Sequence, residues 1–147
     1  FKQHFVETLL IYGATLVFLN FKNRKIEVRP EKSQSDFTTV VKDKKNIQIK
    51  VEEILFIQTD RPYIAIHTTQ NCFLKSTTLK QFLTNVNHPN FLQIHKSAII
   101  NVHYVKSYTS RQNGDYDILM SNGTTLRLSR TYAKAFKQKI NSTPLSL

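Results

Sequence analysis

A chain of 147 residues with 40% hydrophobic content fits one domain with its own core plus an appendage. Its 21 Lys/Arg against 10 Asp/Glu give a net charge of +11, which draws polyanions: nucleic acid first, anionic membrane second. The single cysteine, Cys72, excludes an internal disulfide and a zinc finger, and only three glycines leave little material for a phosphate-cradling loop.

Residues 5–21, FVETLLIYGATLVFLNF, are mostly apolar and are followed at once by Lys22, Arg24 and Lys25. Three readings compete. A transmembrane helix wants about 20 apolar residues, and this run is slightly short with an early Glu7. Its basic flank is what a cytoplasmic end carries. A secretory signal peptide fits poorly, because no small-residue cleavage site follows. The third reading is a soluble amphipathic helix. The missing initial Met suggests a longer parent, and the balance leans to the end of a membrane or sensory segment. Residues 29–36, RPEKSQSD, are polar with a proline and read as a linker. The expected division is an apolar helix over 1–28, a linker over 29–36, a domain over 37–141 and a tail over 142–147.

The domain opens with alternating β-branched residues at 37–42 and 47–50 around a polar turn at 43–46, which predicts a hairpin. Residues 51–53 read as a connector of about one helical turn. Strands are expected at 54–59, 63–68 and 71–75, with Pro62 in the loop between the first two, since it cannot donate to a ladder. Cys72 falls in the third and reads as a buried, inert thiol. Residues 76–86 have a Ser/Thr N-cap and place Leu79, Phe82, Leu83 and Val86 on one helical face. Strands follow at 102–108, 116–120 and 125–128, the last two joined by an Asn122-Gly123 turn. A basic helix over 131–140 carries the apolar stripe Tyr132, Ala135, Phe136 and Ile140.

Residues 91–101, FLQIHKSAIIN, break the pattern. Apolar residues lead into His95, Lys96 and Ser97 and resume at Ala98, and a buried segment rarely interrupts itself with three polar side chains unless a surface requires them. These side chains supply donors that reach phosphates and base edges. The bland alternative is a solvent-facing turn between two core segments, and the stretch alone does not choose. Residues 91–147 hold eight Lys/Arg and two Asp/Glu, a net +6.

Metal and catalytic chemistry find little support. His67, His88, His95 and His103 match no zinc spacing and lack cysteine partners. Asp60, Asp115 and Asp117 fall in loops or at edges, where solvated carboxylates are ordinary. No nucleophile elbow or P-loop occurs. Lys96 and Arg130 differ, because each is flanked by hydroxyls: Ser97 beside the first, Ser129 and Thr131 around the second. Arg binds guanine O6/N7 bidentately and Lys reaches the same acceptors. Taken alone, Arg130 still reads more readily as a surface charge flanking a helix.

The order of these pieces is informative. An apolar strand ILFIQTD, a Tyr-led strand, the helix STTLKQFL, then FLQIHKSAIINVHYV, a hairpin and LRLSR resemble the LytTR family of bacterial DNA-binding domains over about residues 37–140. The resemblance implies a mostly β, elongated multi-sheet domain with short helices, preceded here by the N-terminal helix. It implies two or three loops entering successive major grooves. By position in the motif, Lys96 and Arg130 look like base contacts, and Arg61 and Tyr63 around Pro62 look like a third. That loop departs from members that have a polar residue and a glycine or asparagine there. His95, Ser97, Arg127, Ser129 and Thr131 would then contact phosphates, and Lys137 at most phosphate. The implied partner is double-stranded DNA at paired sites, bound as a homodimer, in the role of a two-component response-regulator output domain. No catalysis, cofactor, metal or small-molecule substrate is expected. The location would be the cytoplasm, free or tethered through residues 1–28. The rival class is a basic protein-interaction or anionic-membrane module without DNA function.

Overall fold

The computed structural model describes residues 36–142, so the expectations on the N-terminal apolar run, most of the linker and the C-terminal tail lie outside the described residues. Among the described residues no helix is long and apolar enough to cross a membrane.

The chain begins with a hairpin of β1 (Phe37–Lys42) and β2 (Lys45–Lys50). Its turn is tighter than the polar run 43–46 suggested. Lys42 pairs with Lys45, and only Asp43 and Lys44 stand in the loop, both at positive φ (51° and 64°). Two left-handed residues match the twist of the flanking strands. After a single 3-10 turn at Val51–Glu53 come β3 (Ile54–Asp60), β4 (Tyr63–Thr68) and β5 (Cys72–Lys75). The helix α1 (Leu79–Val86) and the hairpin of β6 (Phe91–His95) and β7 (Ala98–Asn101) complete a seven-stranded sheet in the order β2-β1-β5-β4-β3-β7-β6. A second 3-10 turn at Val102–Tyr104 leads into β8 (Val105–Ser110), β9 (Tyr116–Met120) and β10 (Thr125–Leu128), which form a three-stranded sheet, and α2 (Arg130–Ser142) ends the described chain.

The large sheet is covered on both faces, which is why β3 begins with four buried residues in a row instead of alternating. One face collects Val40, Ile57, Ile66 and Ile99 beneath Leu79, Phe82 and Val86 of α1. The other carries Phe56, Ala98 and Ile100 against Ile118, Met120 and Leu128 of the small sheet and Phe136 and Ile140 of α2. Further along that second face, Phe37, Val41 and Leu74 stay exposed. Cys72 opens β5 beside them and is exposed, so the expectation of a buried thiol was wrong; its neighbour Phe73 takes the inward place.

Two other expectations change. Residues 102–104 form a turn before the strand, because Asn101 accepts the His103 N–H at 3.1 Å and donates to the Ile54 carbonyl at 3.1 Å from a buried position. On α2 the inward stripe is Tyr132, Ala133, Phe136 and Ile140, while Ala135 faces out.

The start of α1 is locally encoded. The Thr78 side chain accepts the Gln81 N–H at 3.2 Å and Gln81 accepts the Thr78 N–H at 3.3 Å, a capping box. Asn87 closes the helix at φ 44°, in the left-handed conformation. Because Thr78 is exposed, Thr78→Ala tests the cap alone. It should lower unfolding free energy in urea by about 1 kcal/mol with the m-value unchanged; an unchanged midpoint would show that packing alone holds this end.

Candidate nucleic-acid interface

The strand order places four connections at one end of the sheets. The HKS stretch is the turn of the β6–β7 hairpin, so the geometry is that of a turn between two core strands. His95 Nδ1 lies 2.8 Å from the Ser97 hydroxyl and accepts the Ser97 N–H at 3.3 Å, and Gln93 Nε2 donates to the His95 carbonyl at 3.1 Å. His95 and Ser97 thus brace each other, and Lys96 between them is exposed. The Thr59 N–H donates to the Ser97 carbonyl at 2.9 Å, binding this turn to the end of β3.

The β3–β4 turn follows directly. Arg61, Pro62 and Tyr63 are exposed there. Arg61 and Tyr63 line an open cleft of about 300 Å³ with Lys96, Gln93, Thr77 and Lys80. Three of the four expected base contacts therefore share one depression. Lys80, on the first turn of α1, was not singled out from sequence, since a lysine at an exposed helical position carries no signal until the fold brings it here.

The third connection is the β10–α2 junction. The Ser129 N–H donates to the Ile94 carbonyl at 2.9 Å, which fastens the junction to β6 two residues before Lys96. Arg130 and Thr131 are exposed at the start of α2 and Ser129 is half-buried. Among the described residues, the side chains of Arg61, Lys80, Lys96 and Arg130 form no ion pair.

The fourth connection, the β8–β9 loop, overturns one expectation. Asp115 is buried, with 6% of its surface exposed, instead of solvated. One oxygen accepts the Arg130 backbone N–H at 3.0 Å; the other accepts Arg127 through both Nε and Nη2, and Asn113 Nδ2 at 3.2 Å. The Arg127 hydrogen bonds, then the Arg130 N–H, hold this carboxyl below its usual range, so it is charged at neutral pH. Arg127, expected to touch phosphate, already has this internal partner, although its side chain is 56% exposed. Asp117 pairs with Arg111 at 2.7 Å. Lys137 is engaged as well, its ammonium 4.7 Å from the Tyr116 ring centroid. No three His, Cys, Asp or Glu side chains among the described residues are grouped to hold a metal ion.

A mostly β domain whose unpaired cations gather on linked turns at one end has the make-up of a nucleic-acid-binding module. Residues 44–141 match the LytTr DNA-binding domain family, and the chain belongs to that family. The transcriptional regulatory protein LytR of Staphylococcus aureus (strain N315) is 30% identical over 98 residues, 67% of this chain and 40% of that protein. The sensory transduction protein LytR of Streptococcus agalactiae serotype V is 23% identical over 140 residues, 95% of this chain and 57% of that protein. This chain thus spans less than two thirds of the length of these curated relatives. A LytTr DNA-binding domain from Bacillus cereus has the same fold, with a TM-score of 0.67 at 17% identity, covering 72% of this chain and 97% of that one.

Proposed function

We propose that this domain reads duplex DNA in a sequence-specific way, as the DNA-binding part of a cytoplasmic transcription regulator, through the β6–β7 turn, the β10–α2 junction and the β3–β4 turn, set into successive major grooves. The observation that carries this reading is the set of unpaired cations, Arg61, Lys96 and Arg130, on turns fastened to one another or to neighbouring strands by backbone hydrogen bonds. Rigid backbone beneath a mobile cationic side chain suits base readout, because the register is set before the side chain chooses its partner. Arg130 and Lys96 take guanine acceptors, and Arg61 with Tyr63 makes the third base contact. Ser129, Thr131, Ser97 and His95 contact phosphate, joined by Lys80 and by the free face of Arg127. Two copies sit on paired sites.

Selection of bound sites from a random duplex library, followed by affinity measurement against salt, tests the reading. If about five phosphates are neutralised, log K should fall against log salt with a slope of roughly −4 to −5. Salt-independent affinity, or equal affinity for every duplex, would overturn it. Salt-sensitive binding to anionic vesicles without duplex preference would favour the membrane class.

A further inference from the structure

The start of α2 is capped from outside the helix. The first N–H groups of any helix lack partners within it, and local side chains usually supply them. Here the Arg130 N–H is taken at 3.0 Å by Asp115, fifteen positions earlier on the β8–β9 loop. That loop is itself fixed: the Arg111 N–H donates to the Asp115 carbonyl at 2.8 Å, and the Asp115 N–H donates to Asn113 Oδ1 at 3.1 Å. Gly114, at φ +82°, lies against Arg130 at its root, where an added Cβ would sit 3.8 Å from Arg130 Cβ. The preceding Ser129 N–H is held by the Ile94 carbonyl at 2.9 Å. The backbone of Arg130 is therefore clamped between two neighbouring hydrogen bonds while its side chain projects free.

We infer that Asp115 is a positioning residue for DNA readout: it aims Arg130 by fixing the first N–H of α2, and through Arg130 it governs preference at one base position. The inference rests on the reading of Arg130 as a base contact. Charge alone argues the other way. Removing a negative charge beneath a surface that meets a polyanion, and with it the partner of Arg127, should tighten binding to every duplex. Loss confined to one base position would instead report a loosened Arg130, because a bidentate contact requires the guanidinium in one orientation.

The test uses the 147-residue chain, its selected duplex and a panel of single-base changes to that duplex. Arg130→Ala first locates the base position that Arg130 reads. Asp115→Ala should lower affinity for the selected duplex by roughly tenfold and flatten preference at that position, leaving the position lost in Lys96→Ala intact. Arg127→Ala removes the partner of the other carboxylate oxygen and leaves the oxygen that accepts the Arg130 N–H, so it should keep the preference at that position while weakening all duplexes about equally. Amide exchange at Arg130, read relative to the core amides of β3, should be fast in the Asp115→Ala variant and slow in the Arg127→Ala variant, so a general loss of stability is separated from loss of the cap. If Arg130→Ala moves a base preference and Asp115→Ala does not, Asp115 only supports the fold and the inference fails alone. The inference also fails if Asp115→Ala weakens all duplexes equally. If Arg130→Ala leaves every preference as it was, the reading of Arg130 fails and takes the inference with it.

Discussion

Phe136→Ala should destabilise the domain by about 3–5 kcal/mol. Phe136 is fully buried, and its ring meets Tyr108 edge-on at 5.2 Å. It fixes α2 to the small sheet and, through Ile118, Met120 and Leu128, to the second face of the large one. The cavity left by its removal has β-sheet walls that relax only partly, so the cost includes lost contacts as well as lost burial. Urea unfolding measures the total. Hydrogen exchange should show the loss concentrated in α2 and β8–β10, while Phe82, packed edge-on to Phe91 at 5.9 Å, keeps the α1 side protected. A cost below about 1 kcal/mol would mean that α2 is held by something other than this core.

Arg130→Ala should cost about 1–3 kcal/mol of binding free energy and relax preference at a single base position. Lys96→Ala should act likewise at a second position. The comparison residue has to be a cation on α2 with no internal role. Lys137 does not serve, because its ammonium lies over the Tyr116 ring and its loss would also disturb the contact between α2 and β9. Lys134, exposed one turn beyond Arg130, serves instead. Lys134→Ala should weaken all duplexes about equally and make the salt slope slightly shallower. Arg130 and Lys96 are exposed, so both variants should melt within a few degrees of the parent. If Arg130→Ala keeps the parental preference at every position, its assigned role is wrong whatever happens to overall affinity.

Where a side chain's fate is decided by its near neighbours in the chain, the amino-acid sequence was enough. Thr78 and Gln81 are three residues apart, so the start of α1 could be read directly. The spacing of Leu79, Phe82 and Val86 marked its buried face, and the strands expected at 116–120 and 125–128 around the Asn122-Gly123 turn are β9 and β10 to the residue. The polar break at His95, Lys96 and Ser97 was legible because it interrupts an apolar run, and it is the turn of the β6–β7 hairpin. Family membership followed from the order of such local signals. Tertiary structure decided whatever depends on partners far along the chain. Asp115 looked like an ordinary loop carboxylate; it is buried because Arg127 and the Arg130 N–H, twelve and fifteen positions on, converge on it. Cys72 was expected buried from its strand position, yet the face it occupies is left uncovered by the small sheet. Ala133 and Ala135 are identical residues two apart, and only the seat of α2 on the second core selects the first. Lys80 joined the cleft of Arg61 and Lys96 for the same reason: pattern sets which residues share a face, but which face is covered, and what stands opposite it, is set by packing at a distance.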